Sequence, residues 1–141
     1  MQPRDQENIH LVRLDVGDKI QESLKKYVKD HNIQSGYLSG IGATSHATIA
    51  WYDVVTGEYL TTEIDEICEL TTLMGNVGWF EGEPLIHAHV TLGKRDYSII
   101  GGHLVEGIIG ITGEIWIQAS PFKVTRTLSD FPNLKLIDFD A

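Results

Sequence analysis

Two histidines one residue apart, His87 and His89, lie in the apolar run Leu85 to Gly93, and a third, His103, follows in a second apolar run. Side chains at i and i+2 of an extended strand share a face, so His87 and His89 project together. Gly93 to Asp96 separates the runs and has turn chemistry, because glycine admits positive φ and aspartate bonds its own backbone. The stretch therefore predicts a β-hairpin with two histidines on one arm and one on the other. Pairing Gly93 with Tyr97 leaves Lys94-Arg95-Asp96 as the loop and sets His87 opposite His103. Opposed Cβ atoms lie about 4.5–5.5 Å apart and diagonal ones about 7–8 Å, which brings all three rings within reach of one point. A loop with an even number of residues would turn His103 to the other face. A bulge at Gly101-Gly102 would restore it.

Three neutral imidazoles with a vacant fourth position form the donor set of a reactive zinc site, with Zn–N near 2.0–2.1 Å. Iron, nickel and copper accept the same ligands. The expected metal ligands are His87, His89 and His103, and the expected cofactor is zinc or another divalent transition metal. A lone strand histidine is more often bonded to backbone; the pair with a third on the next strand favours the metal. Metal chemistry usually needs a second group for proton transfer. Glu106 and Glu114 are available, but Glu106 stands three residues from His103 and faces away in a regular strand. Glu81 and Glu83 share the parity of His87 but lie beyond Pro84. No catalytic residue is assigned.

The chain has 141 residues, enough for one domain with its own core. Met1 to Asn8 is polar and reads as a frayed terminus, leaving residues 9–141 as the domain. The net charge of −9 opposes a surface built for phosphate, which depends on lysine and arginine. Cys68 is the sole cysteine, so no intrachain disulfide or CxxC knuckle exists. That usage fits a reducing cytoplasm. The first residues carry no apolar signal run, and no stretch approaches the roughly 20 apolar residues that span a bilayer.

Ile9 to Leu14 reads as a strand. Asp18 is the expected N-cap of a helix on which Ile20, Leu24, Tyr27 and Val28 recur, ending near His31-Asn32. Lys19, Lys25, Lys26 and Lys29 occupy its other faces and read as a solvated surface. Ser39 to Ala43 carries a G-x-G without a third glycine and reads as a kink. Thr48–Tyr52 and Tyr59–Ile64 form a hairpin about the turn Asp53 to Gly57. Ile67–Met74 is a strand closed by Gly75 to Gly78, with Cys68 a small buried residue within it. Trp79-Phe80 opens a loop before the histidine hairpin. Ile108–Ile117 is a strand, Lys123–Leu128 an edge, and the apolar tail Phe131–Phe139 must cover something. The sum is one helix and about eight strands: an α+β domain, mostly antiparallel, whose sheet curls on itself or is covered by another subunit.

Gly40-Ile41-Gly42-Ala43, Gly75-Asn76, His87-Ala88-His89 and Gly101-Gly102-His103-Leu104 with Glu106-Gly107 occur in an order and spacing that resemble the plant and prokaryote conserved (PPC) domain, from about Ile9 to Thr127. The resemblance implies a homotrimer built on a β-sheet with one helix. It also implies a zinc-type site at His87, His89 and His103, near an intersubunit cleft open to a small-molecule ligand. Prokaryotic members are commonly labelled DNA-binding. In plants an AT-hook makes the minor-groove contacts. This chain has no Arg-Gly-Arg-Pro core, only Arg4 and Arg13 near its start, which with its acidity weighs against DNA. The fold also looks similar to acetolactate decarboxylase, a zinc enzyme with a three-histidine site. Two functions stand beside each other: a trimeric metal-binding regulatory or DNA-binding protein, and a zinc-dependent lyase or hydrolase acting on a small carbonyl or carboxylate. A metal that only holds the trimer together is less favoured, since structural zinc takes four protein ligands.

Overall fold

The computed structural model describes residues 1–141. In chain order the elements are β1 (Gln2–Gln6), β2 (Ile9–Leu14), α1 (Ile20–Asp30), β3 (Gly36–Asp53), β4 (Glu58–Ile64), β5 (Cys68–Phe80), β6 (Glu83–Gly93), β7 (Ile99–Ala119), β8 (Thr125–Leu128) and β9 (Lys135–Asp138). One sheet contains all nine strands, ordered β1-β2-β7-β3-β5-β8-β9, with β4 on β3 and β6 between β5 and β7. The pairings β3–β5, β5–β6, β6–β7 and β7–β3 close a circuit. The expected curled, mostly antiparallel α+β sheet is thus observed, and it curls through its longest strands. Register irregularities between Gly40 and Gly42, and at three further points along β3, bend it enough to serve two neighbours in succession.

The core fills the concave side. Ile20, Leu24, Tyr27 and Val28 of α1, spaced for one helical face, pack with Ile86, Ala88, Val90 and Leu92 of β6 and with Leu104, Ile109, Ile115 and Ile117 of β7. From Glu83 to Leu92 the β6 residues alternate, even numbers inward and odd outward. His87 and His89 therefore lie on the convex face. Gln21, itself buried, donates through Nε2 to Leu104 O (3.0 Å) and Ile86 O (3.4 Å). These carbonyls adjoin His103 and His87, so the helix braces the hairpin from behind.

Several sequence expectations are corrected. Met1–Asn8 is not frayed throughout, because Gln2–Gln6 pairs with β2 as an exposed strand. Asp18 does not cap α1: its carboxylate accepts from Asp15 N (2.9 Å) and pairs with the terminal ammonium (2.9 Å). The cap is Glu106 from β7, whose Oε1 and Oε2 accept from Gln21 N (2.7 Å) and Glu22 N (3.2 Å). A carboxylate there satisfies two orphan amides and complements the helix dipole. Gly75 to Gly78 does not end a strand; β5 runs through to Phe80. Gly75 is required by close approach, since a Cβ there would lie 2.2 Å from His87 O. Cys68 is buried in the core, as expected, and burial pushes its thiol up from the ordinary range. The helix lysines are solvent-facing, with Lys26 paired to Asp30, Lys29 to Glu83 and Lys19 to Glu22.

Glu106→Ala should destabilise the chain by about 1–2 kcal/mol in denaturant melts, as for a lost N-cap, with Glu106→Gln losing less. An unchanged midpoint for Glu106→Ala would show that water caps the helix equally well.

Candidate metal centre

The hairpin closes one residue later on each strand than the sequence predicts. The loop is Arg95-Asp96-Tyr97, flanked by Lys94 N donating to Ser98 O (2.9 Å), and Gly93 pairs with Ile99. Tyr97 takes φ of 65°, the left-handed residue that completes a three-residue hairpin. Asp96 Oδ1 accepts from Ser98 N at 3.0 Å and fixes the turn. The loop keeps an odd number of residues, so the facing is preserved. His103 stands opposite His89, not His87, and Gly101-Gly102 pair regularly with Val90 and Thr91 rather than forming a bulge.

The three rings converge on the convex face. Their centroids are 4.2 Å apart for His89–His103 and 5.3 Å for both His87–His89 and His87–His103. One donor nitrogen from each lies within 4.8 Å of the others. An ion about 2.0–2.1 Å from each nitrogen needs nitrogens roughly 3.4 Å apart, so the rings must draw together for all three to bind it. The rings are suited to it chemically. Burial, then Arg126, then the neighbouring imidazoles push His87 down to about 4, and burial followed by His89 lowers His103. Both are neutral near pH 7 and keep a lone pair for a metal. Neither carboxylate nor thiolate joins them: Glu106 caps the helix, Glu83 accepts from Lys29, and Glu81 sits in the β5–β6 turn. Glu114 lies on β7 opposite Arg13.

Three neighbours escaped the sequence reading. Asn76 pairs with His87 across β5–β6. Arg126, from β8, donates through Nη2 to Asn76 Oδ1 (2.7 Å), approaches His87 Nδ1 at 3.5 Å, and donates through Nη1 to Lys135 O (2.7 Å). Tyr59 of β4 meets His103 edge-on at 5.4 Å. Asn76 was traceable from its place in the glycine–asparagine motif. Arg126 and Tyr59 lie far from the histidines in sequence, with no spacing that marks them. The tail covers part of this face: Tyr52 Oη donates to Pro132 O (2.8 Å) and Asn133 Nδ2 to Gly57 O (3.0 Å), which clips it to the β3–β4 turn. A shallow cavity of about 460 Å³ opens beside His89 and His103, lined also by Trp51 and Gly102. A larger concavity, about 970 Å³, lies apart from the histidines, between β1 and Trp116.

A curled single-helix sheet that gathers three imidazoles on its convex face defines a class of candidate metal proteins. The Plants and Prokaryotes Conserved (PCC) domain profile matches residues 1–121, and the chain belongs to that family, the PPC domain of the sequence resemblance. A structure from Bacteroides thetaiotaomicron, provisionally named a DNA-binding protein, is 27% identical, with TM-score 0.95, covering 99% of this chain and 98% of its own. The PPC protein of Pyrococcus horikoshii is 29% identical, with TM-score 0.87 and coverage of 94% and 92%. A metal-containing protein of Archaeoglobus fulgidus is 29% identical, with TM-score 0.85 and coverage of 94% of each. Acetolactate decarboxylase from Bacillus subtilis shares the fold alone, at 13% identity and TM-score 0.58. No curated protein matches significantly. No helix is long and apolar enough to cross a membrane.

A group whose folded pKa is depressed stabilises the fold above its unfolded pKa and loses that contribution as pH falls toward the folded value. In chelator-treated protein, His87 should therefore cost on the order of 2 kcal/mol of stability between pH 6.5 and about 4. Denaturation at several pH values checks this. His87→Asn should flatten the slope over that window, and an equal slope in both proteins would assign the loss elsewhere.

Proposed function

We propose that this chain is a homotrimeric metal-binding protein, with His87, His89 and His103 holding one divalent transition metal, zinc first, and a coordination position left to an outside ligand. The observation that carries this reading is the convergence of three donor nitrogens within 4.8 Å, free of any carboxylate or thiolate. The Archaeoglobus relative, described as metal-containing, adds support. When bound, such an ion supplies Lewis acidity to a carbonyl or carboxylate oxygen. The chain's part is to hold the ion, to shield one side of it with the tail, and to keep its imidazoles neutral. Action on a small carbonyl or carboxylate compound follows from the free position; the acetolactate decarboxylase likeness is one of fold. The cytoplasm suits the single reduced cysteine.

A trimer is supported by the convex face. Leu11, Trp116, Ser39, Met74, His89 and His103 stand directly opposite one another across successive strands. Trp116 is 51% exposed and Met74 49%. Two large exposed apolar side chains in one row support burial against another subunit, and a subunit covering them would reach the histidines. A regulatory role on DNA is the second reading, favoured by the names of the Bacteroides and Ralstonia eutropha structures. The −9 charge and the ion-paired helix lysines oppose it.

Elemental analysis of dialysed protein should give about one metal per chain, falling at least tenfold in His87→Ala with the fold retained. Equal metal in both proteins would move the ion elsewhere. In sedimentation, the wild type should run as three chains and Trp116→Asp as one. Duplex DNA should not bind even at low salt, where phosphate affinity is greatest. Salt-sensitive binding with a steep slope would restore the DNA reading.

A further inference from the structure

Arg126 is the most deeply buried cation of the chain at 6% exposure, and no carboxylate pairs with it although the chain has 20 acidic residues. Its charge cannot be shed, because guanidinium stays protonated in proteins. Its contacts are all neutral: Lys135 O, Asn76 Oδ1 and, at the limit of hydrogen bonding, His87 Nδ1. Nε has no partner at all. A buried charge left unpaired is costly, and stable proteins match it with an opposite one. The position is also held deliberately. Lys135 belongs to β9, which pairs with β8, and the intervening segment is clipped to the β3–β4 turn through Pro132 and Asn133. The apolar tail thus fixes a guanidinium beside His87. Arg126 lies just beyond the profile-matched residues 1–121.

Resting on the metal reading above, we propose that Arg126 is the anion-binding half of a two-part ligand site, and that the ligand is a small 2-hydroxy or 2-keto monocarboxylate. Its carboxylate accepts from Arg126 while its oxygens fill the position left at the metal. A divalent ion beside a fixed guanidinium places like charges together, and one bridging anion offsets both. Arginine's planar donor set suits a carboxylate. A histidine that ligates through Nε2 carries its proton on Nδ1. The 3.5 Å contact then sets donor against donor and releases a guanidinium N–H for the ligand. The protein's −9 charge favours a monoanion over polyphosphate or nucleic acid.

The test titrates cobalt-loaded protein with lactate and with lactamide, which has the same shape but no charge. Cobalt absorption reports the metal. The Arg126 Nε–H resonance, followed in zinc-loaded and metal-free protein, reports the guanidinium. Lactate should perturb both signals and bind at least tenfold more tightly than lactamide. Arg126→Gln should weaken lactate at least tenfold, with Arg126→Lys intermediate. Equal affinity for lactate and lactamide in the wild type, or lactate binding that leaves the Arg126 resonance unmoved, overturns the proposal without needing a variant to fold. If cobalt ignores the three histidines, the metal reading fails separately. The guanidinium half then stands if lactate moves Arg126 in the metal-free chain, and falls if it does not.

Discussion

The structure depends on the pairing of His89 with His103 across β6 and β7. That pairing joins two otherwise separate facts. The odd residues of β6 face outward, and the hairpin loop has an odd number of residues. If either changed by one residue, His103 would pass to the core side, where Ile86, Ala88 and Val90 leave no place for a polar ring. The same alternation that buries the β6 aliphatics presents the imidazoles, so core packing and site geometry are one constraint. A slip that broke the site would also expose the core.

The surroundings of the hairpin are arranged to support it from both sides. Behind it, α1 is anchored by Glu106 at its N-terminus and by Gln21 to the carbonyls of Ile86 and Leu104. Gly75 lets β5 lie close against His87. In front, β8 and β9 bring Arg126 over Asn76, and its positive charge reinforces the neutrality that burial already imposes on His87.

Much of this was legible in the chain. The H-x-H spacing, the later histidine and the turn residues between them determine which face the rings share, because parity survives small errors in register. The register itself did not follow. Tyr97 adopts a left-handed backbone that side-chain chemistry does not favour, so the loop began one residue later than glycine and aspartate implied. Gly75 and Gly78 read as a strand end, yet β5 runs through both, and Gly75 marks a close backbone approach. Glu106 could not be matched to α1 from sequence, because 84 residues separate it from the amide of Glu22. Arg126 and Tyr59 were silent for the same reason: their roles arise from long-range packing. The tail's apolar pattern said that it must cover something, yet Phe131, Leu136, Ile137 and Phe139 stay exposed, and the segment is held instead by polar contacts at Pro132 and Asn133.

The most direct measurement is X-ray absorption at the metal edge of the zinc-loaded protein. The account predicts three imidazole nitrogens at about 2.0–2.1 Å plus one light-atom ligand, reduced to fewer imidazoles in His103→Ala. A spectrum fitted by sulfur, by carboxylates alone, or by fewer than three imidazoles in the wild type would contradict it.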